Sequence, residues 1–165
     1  MQQIEIIDYD PRWRETFEKH AIIIAEALGD EALRIEHVGS TSVPGLGAKP
    51  IVDILLVVRD SADEPAYLQE LKAAGYVLTV REPEFHEHRM FRTGERDIHL
   101  HVFSEGSSEA GRMLRFRDRL RENADARRHY EETKRRLAAS PWPDMDAYAR
   151  AKSDVIERII AAAPV

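Results

Sequence analysis

Asp53 stands near the start of an otherwise apolar run, IVDILLVV at residues 51–58. A carboxylate in such a run costs free energy unless it is ion-paired, hydrogen-bonded or bound to a metal. Three roles are open to it: a salt bridge to an arginine, a cap on a neighbouring backbone group, or a hold on a cation. A second stretch, DIHLHVF at residues 97–103, alternates as a strand does. Alternation puts Asp97, His99 and His101 on one face and Ile98, Leu100 and Val102 on the other. Two imidazoles at i and i+2, meeting an Asp from a neighbouring strand, make a ligand set for Zn²⁺, Mn²⁺ or Fe²⁺. The plainer account is half-exposed sheet histidines making ordinary hydrogen bonds, since H-x-H is a common spacing. His86 and His88 repeat that spacing nearer a loop.

Before Asp53 lies HVGSTSVPGLGAKP, residues 37–50. Gly39, Gly45 and Gly47 permit positive φ and close backbone approach. Ser40, Thr41 and Ser42 add hydroxyls beside backbone amides, a composition able to form an anion-binding concavity. Neither a G-x-x-x-x-G-K-[ST] nor a G-x-G-x-x-G pattern occurs, although Lys49 follows Gly47 by two. By spacing alone the signal is weak, and a plain connecting loop is the better account of the stretch.

The elements that must position these residues follow from periodicity. Residues 3–7 predict a short strand, and Asp10-Pro11 opens a helix. Trp13, Phe17, Ala21, Ile24 and Leu28 recur at steps of three and four, ending at Gly29. Strands are expected at 33–38, at 51–58 (covered on both faces) and at 76–80, with a helix over 61–74 entered at SADEP and stopped by Gly75. Residues 88–93 and 97–103 flank TGER as a hairpin. Beyond Ser107 strand signals vanish, and helices are expected at 108–122, 124–139 and 145–161. The order predicts an α+β fold, a mixed sheet with a helical C-terminal third. The whole chain, 1–165, reads as one domain, with sheet and helices over 1–106 and helices alone over 107–165.

Bulk composition narrows the function classes. At 165 residues the chain can bury a core without staples, and it contains no cysteine, which removes disulfides, thiolate zinc and a Cys nucleophile. The net charge of −6 offers no global basic field to nucleic acid. The N-terminus lacks a basic start and a long apolar run, and no stretch reaches membrane length, so a cytoplasmic protein without a membrane partner is expected. Locally the balance reverses: Arg112 to Arg136 holds nine Arg, one Lys and one His against five acids. Intrahelical pairs such as Asp118–Arg121 and Glu131–Arg135 would neutralise part of this surplus. One or two of the remaining cations could instead face a phosphate.

Gly39-Ser40, then twelve residues, then Asp53 in an apolar strand resembles the opening signature of nucleotidyltransferase-fold proteins. More closely, IEHVGSTSVPGLGAKPIVDILLVV resembles the GrpB-like family of bacterial proteins, which occur alone or fused to dephospho-coenzyme A kinase. The resemblance runs the whole chain and includes Tyr9-Asp10-Pro11-x-Trp13, His99-Leu100-His101, and the tail residues Tyr130, Lys134, Tyr148 and Lys152. It implies a nucleotidyltransferase-like mixed sheet flanked by helices. It also implies a nucleotide or other phosphate-bearing small molecule in a cleft at the Gly-Ser loop, with segment 41–47 starting or preceding a short helix. Asp53 would be the catalytic carboxylate. Gly39, Ser40, Thr41, Ser42, Lys49, Arg115, Lys134 and Lys152 would contact phosphate.

The departure from the wider fold is at Leu55. Two-metal transfer needs two carboxylates two residues apart, and an aliphatic side chain coordinates nothing. The third carboxylate position falls in DIHLHVF and is histidine, a nitrogen ligand that disfavours Mg²⁺ relative to Mn²⁺ or Zn²⁺. Either one divalent metal sits at Asp53, His99 and His101, or the cleft binds its ligand without turnover. A nucleotidyl or phosphoryl transferase, an accessory module tied to coenzyme A metabolism, and a His/Asp metal-dependent hydrolase are the three readings this supports. Glu36 is a further carboxylate near the loop, with Arg34 or a helix arginine as its alternative partner.

Overall fold

A computed structural model describes residues 5–95 and 97–161. Helix α1 (Arg12–Leu28) stops at Gly29, whose φ of 55° ends the right-handed path. Five strands follow: β1 (Arg34–Val38), β2 (Val52–Val58), β3 (Val77–Glu82), β4 (His88–Arg92) and β5 (Ile98–Ser104). They form one sheet of order β1-β2-β5-β4-β3, in which β2 and β5 run parallel and the other pairs antiparallel. Of the strand expected at 3–7, residues 3 and 4 lie outside the described residues. Ile7 makes only an isolated antiparallel bridge to Ala48.

The helix expected over 61–74 is shorter. Residues 64–66 form a single tight turn, and only Leu68–Ala73 (α2) is α-helical. Ser61 is occupied elsewhere: its amide reaches Ser104 Oγ at 2.9 Å and its hydroxyl donates to the Glu87 carbonyl at 2.7 Å. Its carbonyl accepts from the Tyr67 hydroxyl at 2.6 Å. Those tertiary bonds hold the residues before Pro65 against the sheet.

The two sheet faces differ. Ile54, Leu56, Val58, Leu100 and Val102 point to one side, where α1, α2, Tyr67, Tyr76 and Phe91 complete the main core. The other side is apolar at one end only, where Leu55, Val57, Val38 and Phe103 pack on Ala110 of α3 (Ser108–Glu122). Its other end presents Asp53, His99 and His101. Helices α4 (Ala124–Ala138) and α5 (Met145–Ala161) stand over that polar end. Asn123 lets α4 start at once after α3, since its side chain accepts from the Ala126 amide at 2.8 Å. Val43 and Leu46, from the segment before β2, are buried against Leu120, Tyr130, Val155 and Ile159, and so tie that segment to the helical third.

Candidate functional site

Strand register brings the predicted ligands together. Parallel pairing sets Asp53 opposite His99 and Leu55 opposite His101, so all four side chains share one face. His101 Nε2 lies 3.0 Å and His99 Nδ1 3.6 Å from Asp53 Oδ1. One ligand atom from each of the three residues lies within 4.8 Å of the others. Burial alone would push the Asp53 carboxyl up; the His101 hydrogen bond and the adjacent His99 ring outweigh it and hold the group well below the usual carboxylate range.

His88 and Glu82 extend this cluster. His88 Nε2 lies 3.0 Å from His101 Nδ1, and His88 Nδ1 lies 2.7 Å from Glu82 Oε1. A hydrogen-bonded row therefore runs Asp53–His101–His88–Glu82 across β2, β5, β4 and β3. His86 is exposed, with a φ of 53°, and takes no part. The H-x-H spacing flagged residue 88, but its place behind His101 depends on the β4–β5 register, which pairs Met90 with His101.

The glycine-hydroxyl stretch behaves differently at each residue. Gly39 has φ of 73°, and a Cβ there would meet Asp53 Oδ2 at 2.5 Å. Only glycine lets the chain leave β1 at this angle with the carboxylate against it. Residues 40–42 make one tight turn, with no helix after it, so the helix expected around 41–47 does not form. The Ser42 amide closes that turn onto the Gly39 carbonyl at 3.1 Å. The Ser42 hydroxyl also turns back to the Gly39 carbonyl, and Thr41 Oγ1 bonds His37 Nε2 at 3.0 Å. Ser40 alone of the three turns its hydroxyl toward the Asp53 side, where Lys134 Nζ donates to it at 2.9 Å.

A cavity of about 360 Å³ opens over Asp53, His99 and His101, walled by Ser40, Lys49, Lys134, Tyr148 and Lys152. Three lysines thus face one carboxylate. Burial pulls the Lys134 ammonium down to about 7, with Lys152 repulsion adding to it, and pulls Lys152 to about 8. Lys49 is lowered in the same direction, again chiefly by burial. Lys134 also donates to the Gly47 carbonyl at 2.7 Å and lies 4.9 Å from the Tyr130 ring centre. Lys152 lies 4.8 Å from the Tyr148 ring centre. Tyr148 is 1% exposed, and its buried hydroxyl has no hydrogen-bond partner among the described residues.

Other expected residues lie elsewhere. Arg115 is exposed on α3 and is not among the cavity's walls, because its place on the helical turn points it away from the sheet. Arg117 and Arg121, two and six residues on and so on another face of α3, reach the loop instead. Arg117 Nη1 meets Glu36 at 2.8 Å and the His37 carbonyl at 3.2 Å. Arg121 Nε donates to the Ser42 carbonyl at 3.0 Å. Glu36 is held by Arg34 and Arg117. The Glu131–Arg135 pair forms at 3.3 Å, whereas Asp118 pairs with its neighbour Arg117 at 2.9 Å.

The family model described as GrpB protein matches residues 3–162. A UPF0157 protein of Halalkalibacterium halodurans is 54% identical over 157 residues, covering 95% of this chain and 80% of the relative. A dephospho-CoA kinase of Mycolicibacterium paratuberculosis is 28% identical over a stretch covering 90% of this chain and 43% of the kinase. Among solved structures, the conserved protein GrpB from Enterococcus faecalis superposes with a TM-score of 0.84 at 33% identity, covering 95% of each chain. Cid1 in complex with its short product ApU superposes with a TM-score of 0.52 at 11% identity, over 80% of this chain and 41% of Cid1. That likeness concerns the fold, which is nucleotidyltransferase-like. On the family match and the similarity to these relatives along nearly its whole length, the chain belongs to the GrpB family.

Proposed function

We propose that this chain binds a phosphate-bearing small molecule, of nucleotide type, against one divalent transition-metal ion. The observation that carries the reading is the convergence of Asp53, His99 and His101 on the floor of a cavity whose walls carry Lys49, Lys134 and Lys152. With those lysines protonated, three positive charges face one negative one, so the cavity is complementary to an anion.

The donor set fits a metal, and hydrogen-bond accounting supports the fit. If His101 Nε2 turns a lone pair toward a cation, its Nδ1–H donates to His88 Nε2 and the His88 Nδ1–H donates to Glu82. Every contact is then satisfied with both rings neutral. If Nε2 instead donates to Asp53, the same row needs one more proton, on a buried imidazole whose affinity for protons is lowered chiefly by burial. A carboxylate and two imidazole nitrogens suit Mn²⁺, Fe²⁺ or Zn²⁺ better than Mg²⁺. Asp53, His99 and His101 would hold the ion, and Glu82 through His88 would orient His101. Such an ion supplies Lewis acidity toward a phosphoryl oxygen. Leu55, where a second metal-binding carboxylate would stand, is 0% exposed among Val38, Val57 and Phe103, which argues against a two-metal site.

Metal analysis of the purified chain, then calorimetry with ATP and ADP in the presence of Mn²⁺ or Zn²⁺, tests this. About one ion per chain is expected, lost in Asp53→Asn, together with metal-dependent nucleotide uptake. A chain that takes neither metal nor any phosphate compound defeats the reading. A second reading, an accessory module that holds its ligand without turnover, is favoured by the related stretch in a dephospho-CoA kinase. Incubation with the four nucleoside triphosphates and Mn²⁺ separates the two: release of pyrophosphate or of a nucleoside diphosphate means turnover, and binding without release means the module.

A further inference from the structure

A second cavity, of about 670 Å³, lies on the opposite side of the 40–42 turn from Asp53. Thr41 borders both cavities. The charged residues of this one are Arg14, Arg117, Arg121 and Arg127 against Glu18 and Glu36, so four positive charges and two negative leave a surplus of two. The carboxylates are already engaged: Glu18 by Arg14 at 3.1 Å, and Glu36 by both Arg34 and Arg117. Arg121 and Arg127 have no carboxylate partner among the described residues. The bonds they make are to carbonyls: Arg121 Nε to Ser42, and Arg127 Nη1 to Leu120 and Arg121. Those bonds fix each guanidinium at one edge and leave other N–H groups open. Arg117 is 7% exposed, anchored by Asp118, Glu36 and the His37 carbonyl.

The remaining wall is flat and carries little charge. The Phe17 and His37 rings stack 4.9 Å apart at 10°, with Tyr9 and Pro44 beside them. His37 is bonded through Nε2 to Thr41, and burial, with Arg121 repulsion, pulls it down to about 4, so it adds no charge near neutral pH.

We infer that this arginine-lined cavity is a second binding site, for a phosphate monoester whose body is flat and largely apolar. Two unneutralised guanidiniums match a dianion, and their planar forks take phosphate oxygens in pairs. The Phe17–His37 stack and Tyr9 give the body a surface, and the volume falls within the range of small-molecule sites. The assignment is independent of any metal at Asp53.

Calorimetric titration of the whole chain with phenyl phosphate tests it, run in parallel on Arg121→Gln, Arg127→Gln and Lys152→Met chains. Each protein is first checked by thermal melting. Binding is expected to survive Lys152→Met and to weaken by about tenfold or more in each arginine variant. Arg121→Lys, which keeps the charge and loses the fork, is expected to recover only part of the affinity. No uptake at millimolar phenyl phosphate, or uptake that Lys152→Met removes and the arginine variants leave intact, overturns the site. Equal affinity for inorganic phosphate, with the arginine dependence intact, overturns the apolar body assigned to the ligand.

Discussion

The two cavities that meet at the 40–42 turn handle positive charge in different ways. On the Asp53 side the cations are lysines, partly or fully buried, two of them pulled to about 7 and 8 by burial. On the other side they are arginines, anchored to carbonyls and carboxylates and charged at any physiological pH. A compact ammonium gives up its proton when desolvated; a delocalised guanidinium does not. Anion affinity should therefore depend on pH on one side of the turn and not on the other.

The largest effect should come from the glycine that leads into the turn between the two sides. Gly39→Ala forces a side chain onto Asp53 at a positive φ, and a loss of about 2–4 kcal/mol in denaturant melts is expected. Gly45→Ala shares the positive φ but meets open space, so its cost should stay near 1 kcal/mol. Equal costs for the two would show that the carboxylate contact contributes nothing.

Next in size, Asp53→Asn should lower bound metal by about a hundredfold and leave phenyl phosphate binding on the arginine side unchanged. Glu82→Gln, three residues along the row, should weaken metal binding by about tenfold through the loss of His101 orientation, read by competition with a chromogenic chelator. Metal affinity indifferent to Glu82 would make the row a packing feature.

The pH profile sharpens the contrast further. Lys134 has a folded-state pKa near 7 against 10.5 unfolded. Between those values the unfolded chain binds the extra proton, so this group makes stability rise as pH climbs from 7 toward 10. An anionic ligand prefers protonated Lys134, so nucleotide affinity on the Asp53 side should fall by about tenfold between pH 6.5 and 9. Phenyl phosphate affinity on the arginine side should stay flat over pH 7–9, where the ligand stays dianionic and the arginines stay charged. Lys134→Met should reduce the stability slope, most clearly between pH 7 and 8, with the remainder above that carried by Lys152, whose folded-state value is about 8; a slope unchanged between pH 7 and 8 would assign it to another group. The smallest effect belongs to exposed Arg115: Arg115→Ala should change stability by less than about 0.5 kcal/mol and leave both sites intact.

Much of this was readable before folding. The apolar run around Asp53 and the alternation of DIHLHVF identified β2, β5 and the three converging side chains, because strand periodicity maps directly onto sheet faces. The residue types around 39–42 marked a special turn. The individual roles there could not be read, since whether a hydroxyl faces a cavity or its own backbone is set by one turn's geometry. Periodicity likewise does not tell which arginine of α3 meets the turn, since that depends on how the helix lies on the sheet; Arg117 and Arg121 reach it and Arg115 does not.

Local pattern alone determined the element order, the mixed α+β class and the carboxylate–imidazole set, because each rests on a period of two or of 3.6 and on turn chemistry. Tertiary structure decided what those residues face. The parallel β2–β5 register brought Asp53 to His101, the β4–β5 hairpin set His88 behind it, and the packing of α4 and α5 buried Lys134 and Lys152. Burial, register and charge environment are properties of residues distant in the chain, and no short-range spacing encodes them.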